Sequence, residues 1–204
     1  MEIQAAKKHK FIVFAYEFLG TALLLYAINL QKGFDFGCFG IAFTIFICLL
    51  IGAPITGAHY NPAVTLGVYI CDADWREDVD MFLVMMAAQF LGAFFGVGMV
   101  WLSLYNSSVD ALPTWANVPV SEINYLLPNA PYVTVWNAFQ IEMICTFVFV
   151  MCNLIVKTKK TSPTDQGFLG CFAVAITLLA MICVSGSKTG ACLNPAVGLA
   201  QTVY

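Results

Sequence analysis

The strongest constraint on this chain is an internal duplication. The stretches TGAHYNPAV, from Thr56 to Val64, and TGACLNPAV, from Thr189 to Val197, lie 133 residues apart and agree at seven of nine positions. Asn is a preferred helix N-cap and Pro is favoured at the first helical position, so each Asn-Pro pair reads as a helix start. The first of these helices is short. Nine apolar or small residues, 62–70, precede the acidic stretch 71–80, and ten residues of helix reach only about 15 Å at 1.5 Å per residue.

Long apolar blocks surround the motifs. Residues 11–30, 36–55, 81–105, 132–156 and 167–184 are each almost free of charge, and about 20 apolar residues suffice to cross a bilayer. Five spans are therefore expected. A soluble domain of this size rarely has 60% hydrophobic and only 10% charged residues, because its surface needs more polarity. The first block is too long for a signal-peptide core and lacks a clear small-residue cleavage site.

A helix of about 15 Å cannot cross a hydrocarbon core of about 30 Å. It must enter and return as a half-helix, starting near the midplane at Asn61-Pro62-Ala63. Irregular backbone at that depth is tolerated only inside protein or along a watery cavity. The second copy, Asn194-Pro195-Ala196, repeats the arrangement. Each half also carries an intramembrane carboxylate four residues before a Thr, namely Glu17 before Thr21 and Glu142 before Thr146. Three spans in the first half turn the second copy upside down, the inverted repeat used by transporters and channels. The expected organisation is a first repeat over 1–105, a connecting loop over 106–131 and a second repeat over 132–204.

In that arrangement the two half-helix N-termini meet near the midplane, with their positive dipole ends facing one point. The amides of Asn61 and Asn194 can donate hydrogen bonds into a passage there. Such a site suits a neutral, hydrogen-bonding solute and repels cations. A bland alternative makes each Asn only a helix cap; the matched pair favours a pore.

Charge placement gives an orientation. Lys7, Lys8, Lys10, Arg76, Lys157, Lys159 and Lys160 share one side of the predicted topology, and only Lys32 and Lys188 lie on the other. The positive-inside tendency puts the N-terminus in the cytoplasm and 106–131 outside. Asn106-Ser107-Ser108 within that loop fits the N-glycosylation sequon. Nearly all of the eight Cys lie in or beside apolar segments and no CxxC occurs, so they read as free thiols packed as small hydrophobes, not a disulfide framework. His9 and His59 build no metal site with them at any recognised spacing. No nucleophile–base–orienter set for an enzyme is evident, and no cofactor or nucleic-acid partner is implied.

These residues resemble the major intrinsic proteins, or aquaporins. The likeness rests on Glu17 with Gly20, on Gly57-Ala58-His59-Tyr60-Asn61-Pro62-Ala63-Val64, on Ala88-Gln89 with Gly92, on Glu142, and on Gly190 with Asn194-Pro195-Ala196. It implies an all-α polytopic bundle of inverted repeats with two re-entrant half-helices. One pore per subunit, a homotetramer in a plasma or organelle membrane, and passive passage of water or small neutral solutes are implied as well. It makes Glu17 and Glu142 acceptors for the pore-loop backbone, against the alternative of a proton relay, and places His59 in the cytoplasmic half of the pore. Gly92, Gly96 and Gly98 are expected to allow close helix packing.

Two departures from the family pattern stand out. Many members carry Arg directly after the second Asn-Pro-Ala, at a narrow outer filter; here the residue is Val197. Ungapped counting puts the other filter positions at Ile41, Ile182 and Ala191, an entirely aliphatic set; the alternative for Ile41 and Ile182 is a lipid-facing or core-packing position. That predicts passage of water and of at least one larger neutral solute, such as glycerol, urea or ammonia. The contrary case is that the two Ile close the pore by dewetting. The family pattern also ends with a further span, so this sequence is expected to lack the last piece of the bundle. The rival functions are an inverted-repeat secondary transporter, which would need intramembrane charges beyond Glu17 and Glu142, and a low-flux structural membrane protein on the same fold.

Overall fold

A computed structural model describes residues 9–31, 36–72, 77–105, 133–158 and 161–203. Among them the chain is helical, with no strand. Five long helices are α1 (Lys10–Leu30), α2 (Gly37–Thr56), α4 (Val79–Tyr105), α5 (Val135–Lys157) and α6 (Gly167–Thr189). Two short ones, α3 (Pro62–Asp72) and α7 (Pro195–Val203), follow the duplicated motifs. All five long helices are long and apolar enough to cross a membrane, and less than half of each apolar window is buried. The exposed remainder includes Leu19, Phe43, Ile47, Ile51, Leu91, Phe95 and Phe147. Such helices are apolar on all sides, as a lipid-facing bundle requires.

The most extensive packing in the bundle joins α1 to α4. Small residues explain it. A Cβ at Gly92 would collide with the Phe18 carbonyl and one at Gly96 with the Ala22 carbonyl, so the backbones approach as they do at small-residue membrane interfaces. Gly98 does not share this role. A Cβ there would meet nothing within 4 Å, because Gly98 falls off the face that carries Gly92 and Gly96 one turn apart. Helix α2 packs on α1 and α6, and α5 packs on α6.

The short helices fill the middle. α3 touches α4 and α5, α7 touches α4, and the two touch each other. Their apolar faces join two buried clusters. One gathers Leu24, Ile45, Cys48, Leu49, Tyr60, Val64, Phe149, Leu178 and Leu193; the other gathers Leu25, Ala93, Val97, Ala196, Val197 and Ala200.

Some boundaries differ from the sequence reading. α6 continues five residues past Val184 through Ser-Gly-Ser-Lys-Thr and stops only at Gly190, whose φ of 89° ends the helix in a left-handed C-cap. Polarity marks the expected end there, but backbone geometry sets the real one. α5 starts at Val135, after Thr134 caps it by accepting from the Asn137 amide. The connecting loop 106–131 with its Asn106 sequon, and Lys7, Lys8, Lys32, Arg76, Lys159 and Lys160, lie outside the described residues. Lys10 pairs with Asp80, tying the start of α1 to the start of α4.

Candidate functional site: the junction of the two half-helices

Each half-helix is approached through an irregular loop held in an uncommon conformation. Gly57, Ala58 and Tyr60 have φ of 83°, 49° and 50°; Gly190, Ala191 and Leu193 repeat this with 89°, 53° and 52°. Left-handed backbone at a non-glycine residue is costly and persists only where surroundings over-determine it. Here the over-determining groups are the two intramembrane carboxylates.

Glu17 is completely buried. Its Oε1 accepts from the Thr56 hydroxyl at 2.9 Å and the His59 amide at 3.0 Å. Its Oε2 accepts from the Tyr60 amide at 2.8 Å and Gln89 Nε2 at 2.9 Å. Gln89 also donates to the Thr65 hydroxyl at 2.7 Å, linking α1, α4 and the first turn of α3. Glu142 repeats the core of this pattern. It accepts from the Thr189 hydroxyl and from the Cys192 and Leu193 amides, the latter two at 3.1 and 3.0 Å. Four backbone donors that no helix satisfies thus find acceptors, as buried amides must. Each carboxylate serves its own half.

The two loops then meet. Asn61 Oδ1 accepts from the Ala63 amide at 2.8 Å and Asn194 Oδ1 accepts from the Ala196 amide at 3.0 Å, so both Asn side chains cap their helices. Pro62 and Pro195 occupy the first helical positions. The remaining amide of each Asn reaches across: Asn61 Nδ2 donates to the Leu193 carbonyl and Asn194 Nδ2 to the Tyr60 carbonyl, both at 2.8 Å. This exchange locks the half-helices tip to tip. One Nδ2 hydrogen of each Asn is occupied by it, which leaves the second for other acceptors.

Beside the junction lies a cavity of about 60 Å³. Water needs only about 10–15 Å³ of such space per molecule. Its wall includes Asn61, Asn194, His59, Ile41, Ile182, Ala191 and Val197. Every residue assigned to the filter by counting from the motifs therefore reaches one cavity, together with both Asn caps. Ala63 and Ala196 sit in the first helical turns; Ala196 is fully buried and Ala63 partly so. His59 is 7% exposed and its Nδ1 lies 3.1 Å from the Thr65 hydroxyl. A second, wider cavity of about 450 Å³ opens at the other side of the first loop, lined by Gly57, Pro54, Lys157, Ser162, Gln166 and Phe168 among others.

Several contributors escape a reading of the sequence. Thr56 and Thr189 bond the carboxylates, and their repetition as the first residue of each motif is the signal that could have found them. Gln89 is visible only as part of a resembling pair; its bridge between Glu17 and Thr65 spans 72 and 24 residues. The Tyr60 ring fills the space left by Gly20 and Gly52 and donates its hydroxyl to the Cys48 carbonyl at 3.0 Å.

Comparison with known proteins agrees with this architecture. A sequence model of the family described as Major intrinsic protein matches residues 5–204. The chain is 27% identical over 227 aligned positions to Aquaporin-1 of Rhizophagus irregularis, covering 98% of this chain and 70% of that protein. It is 30% identical to Glycerol uptake facilitator protein-like 6 of Lactiplantibacillus plantarum, covering 92% of this chain and 82% of the relative. Its fold matches the X-ray structure of the aquaglyceroporin from Plasmodium falciparum with a TM-score of 0.74 at 26% identity, over 93% of this chain and 78% of that one. Re-entrant half-helices joined through paired Asn caps inside a bundle of apolar helices, together with this match along nearly the whole chain, place the protein in the major intrinsic protein family of integral membrane channels.

Proposed function

We propose that the protein is a passive channel for water and for at least one larger neutral solute of the glycerol, urea or ammonia class, and that the permeant passes through the cavity at the half-helix junction. The observation that carries this reading is the wall of that cavity, where two Asn caps share one space with Ile41, Ile182, Ala191 and Val197. Relatives named as an aquaporin and as a glycerol uptake facilitator support a channel reading that includes glycerol. The aliphatic wall cannot replace the hydration of an ion, so ions stay excluded by their desolvation cost. The dipole ends of α3 and α7 add to the barrier against cations. In this reading Glu17 and Glu142 hold the loops, and His59 lines the passage on the side of Gly57. The N-terminus faces the cytoplasm, from the distribution of Lys and Arg, and the working unit is a homotetramer of two-repeat subunits.

Stopped-flow light scattering on proteoliposomes tests the function. Against protein-free vesicles, the expected result is faster osmotic shrinkage, followed by faster re-swelling with glycerol, urea or both. A vesicle preparation in which correctly folded protein accelerates neither phase refutes the channel reading.

A further inference from the structure

The outer half of the cavity is not wholly aliphatic. Asn194, Val197 and Gln201 recur at spacings of three and four along α7, which places them on one helix face, and all three reach the cavity. Gln201 lies six residues beyond Pro195, about 9 Å along the helix from the midplane junction at 1.5 Å per residue. The same cavity is lined by Ile28, Ile41 and Ile182. The residue is only 6% exposed; its Nε2 has almost no open surface and no hydrogen-bond partner among the described residues, so a turn of the side-chain amide is what brings that nitrogen to the passage. A buried amide donor left unmatched is destabilising and is uncommon in folded proteins. Packing does not account for the choice either, since Leu or Met would fill the same space on an apolar face without that penalty.

We propose that Gln201 is a specificity-determining residue of the channel, its side-chain amide turning to donate a hydrogen bond from Nε2 to the oxygen of a neutral solute, such as a urea carbonyl or a polyol hydroxyl, as it passes the aliphatic wall. This deepens the channel reading and rests on it. The physical need is clear. A solute large enough to fill the constriction leaves its water neighbours behind, and Ile28, Ile41, Ile182 and Val197 offer it no polar side-chain atom in return. One amide donor at that level offsets part of the desolvation. Water depends on it less, because water molecules in file continue to bond one another.

The experiment compares the parent with Gln201→Met, which keeps length and bulk but cannot donate through nitrogen, and Gln201→Leu, which removes the amide with a second apolar shape. Permeability to urea and to glycerol is measured in proteoliposomes beside that to water. The expected result in both variants is a fall of about two- to tenfold in solute permeability relative to water. The ratio is the decisive quantity, since loss of folded protein lowers both fluxes together. If Gln201→Met does not reach the membrane, Gln201→Leu decides alone. A conducting parent whose solute-to-water ratio is unchanged in the folded variants overturns the role of Gln201 and leaves the channel reading standing. A parent that conducts nothing removes the channel reading first.

Discussion

Replacing Glu17 with Ala is expected to prevent the protein from being recovered as a monodisperse folded species. The carboxylate is fully buried and accepts from Thr56, His59, Tyr60 and Gln89. Its removal takes the acceptor from the Thr56 hydroxyl and the His59 and Tyr60 amides, leaves Gln89 only its bond to Thr65, and opens a cavity between α1 and the first loop. A buried donor without a partner costs about 1–3 kcal/mol, and loss of a whole network reaches the range of about 4 kcal/mol or more that marks severe mutants. The backbone strain at Ala58 and Tyr60 would then have nothing to hold it. Glu17→Gln is a milder change at the same position. With its amide nitrogen in the place of Oε1, the Thr56 hydroxyl can turn to accept, but the His59 amide faces a donor. One orphan remains, so a smaller loss of about 1–3 kcal/mol is expected. Thermal unfolding in detergent measures both, and the order wild type, Glu17→Gln, Glu17→Ala is the outcome to check. Equal melting temperatures for all three would contradict the supporting role.

The Val197→Arg exchange should reduce passage of the larger solutes more than that of water. Val197 is 3% exposed and lines the cavity with Ala191, one helical turn from Gln201. An Arg there would narrow the passage, add five donors in a fixed fork and place a positive charge at the level of the aliphatic wall. Glycerol and urea permeability should drop by about tenfold or more, the scale of a barrier raised by about 1.4 kcal/mol or more, while water permeability falls less. Stopped-flow measurement of the three fluxes on one preparation checks it. An unchanged solute profile would mean that position 197 does not set selectivity.

How much of this is legible in the sequence depends on the range of the interactions involved. The half-helices are readable because their causes are local: an Asn cap, a Pro at the first position and too few apolar residues to span. The existence of α1, α2, α4, α5 and α6 follows from hydropathy, but the end of α6 does not, since the stretch from Ser185 to Thr189 is largely polar yet helical. Counting from the motifs is enough to bring Ile41 and Ile182 to the cavity, because α2 and α6 run into the motifs with no gap. The network around Glu17 is less accessible. Thr56 repeats in register with Thr189, but nothing local in Gln89 says that it will meet a carboxylate 72 residues away. Gln201 escapes for a related reason. On a half-helix only one face reaches the cavity, and that face is fixed by the cross-bonds of Asn61 and Asn194, which are contacts between distant segments.

The central claim is that permeant molecules travel through the cavity beside the Asn61–Asn194 junction. The most direct test places a single reactive thiol in its wall. Cys192 also lines that wall, so the measurement uses Val197→Cys in a Cys192→Ser background, treated with a small thiol-specific methanethiosulfonate reagent in proteoliposomes. Water and urea fluxes should both collapse on labelling and return when a reductant removes the label, while the Cys192→Ser parent stays unaffected. Complete labelling of Cys at position 197, shown by mass spectrometry, with both fluxes undiminished would place the passage elsewhere.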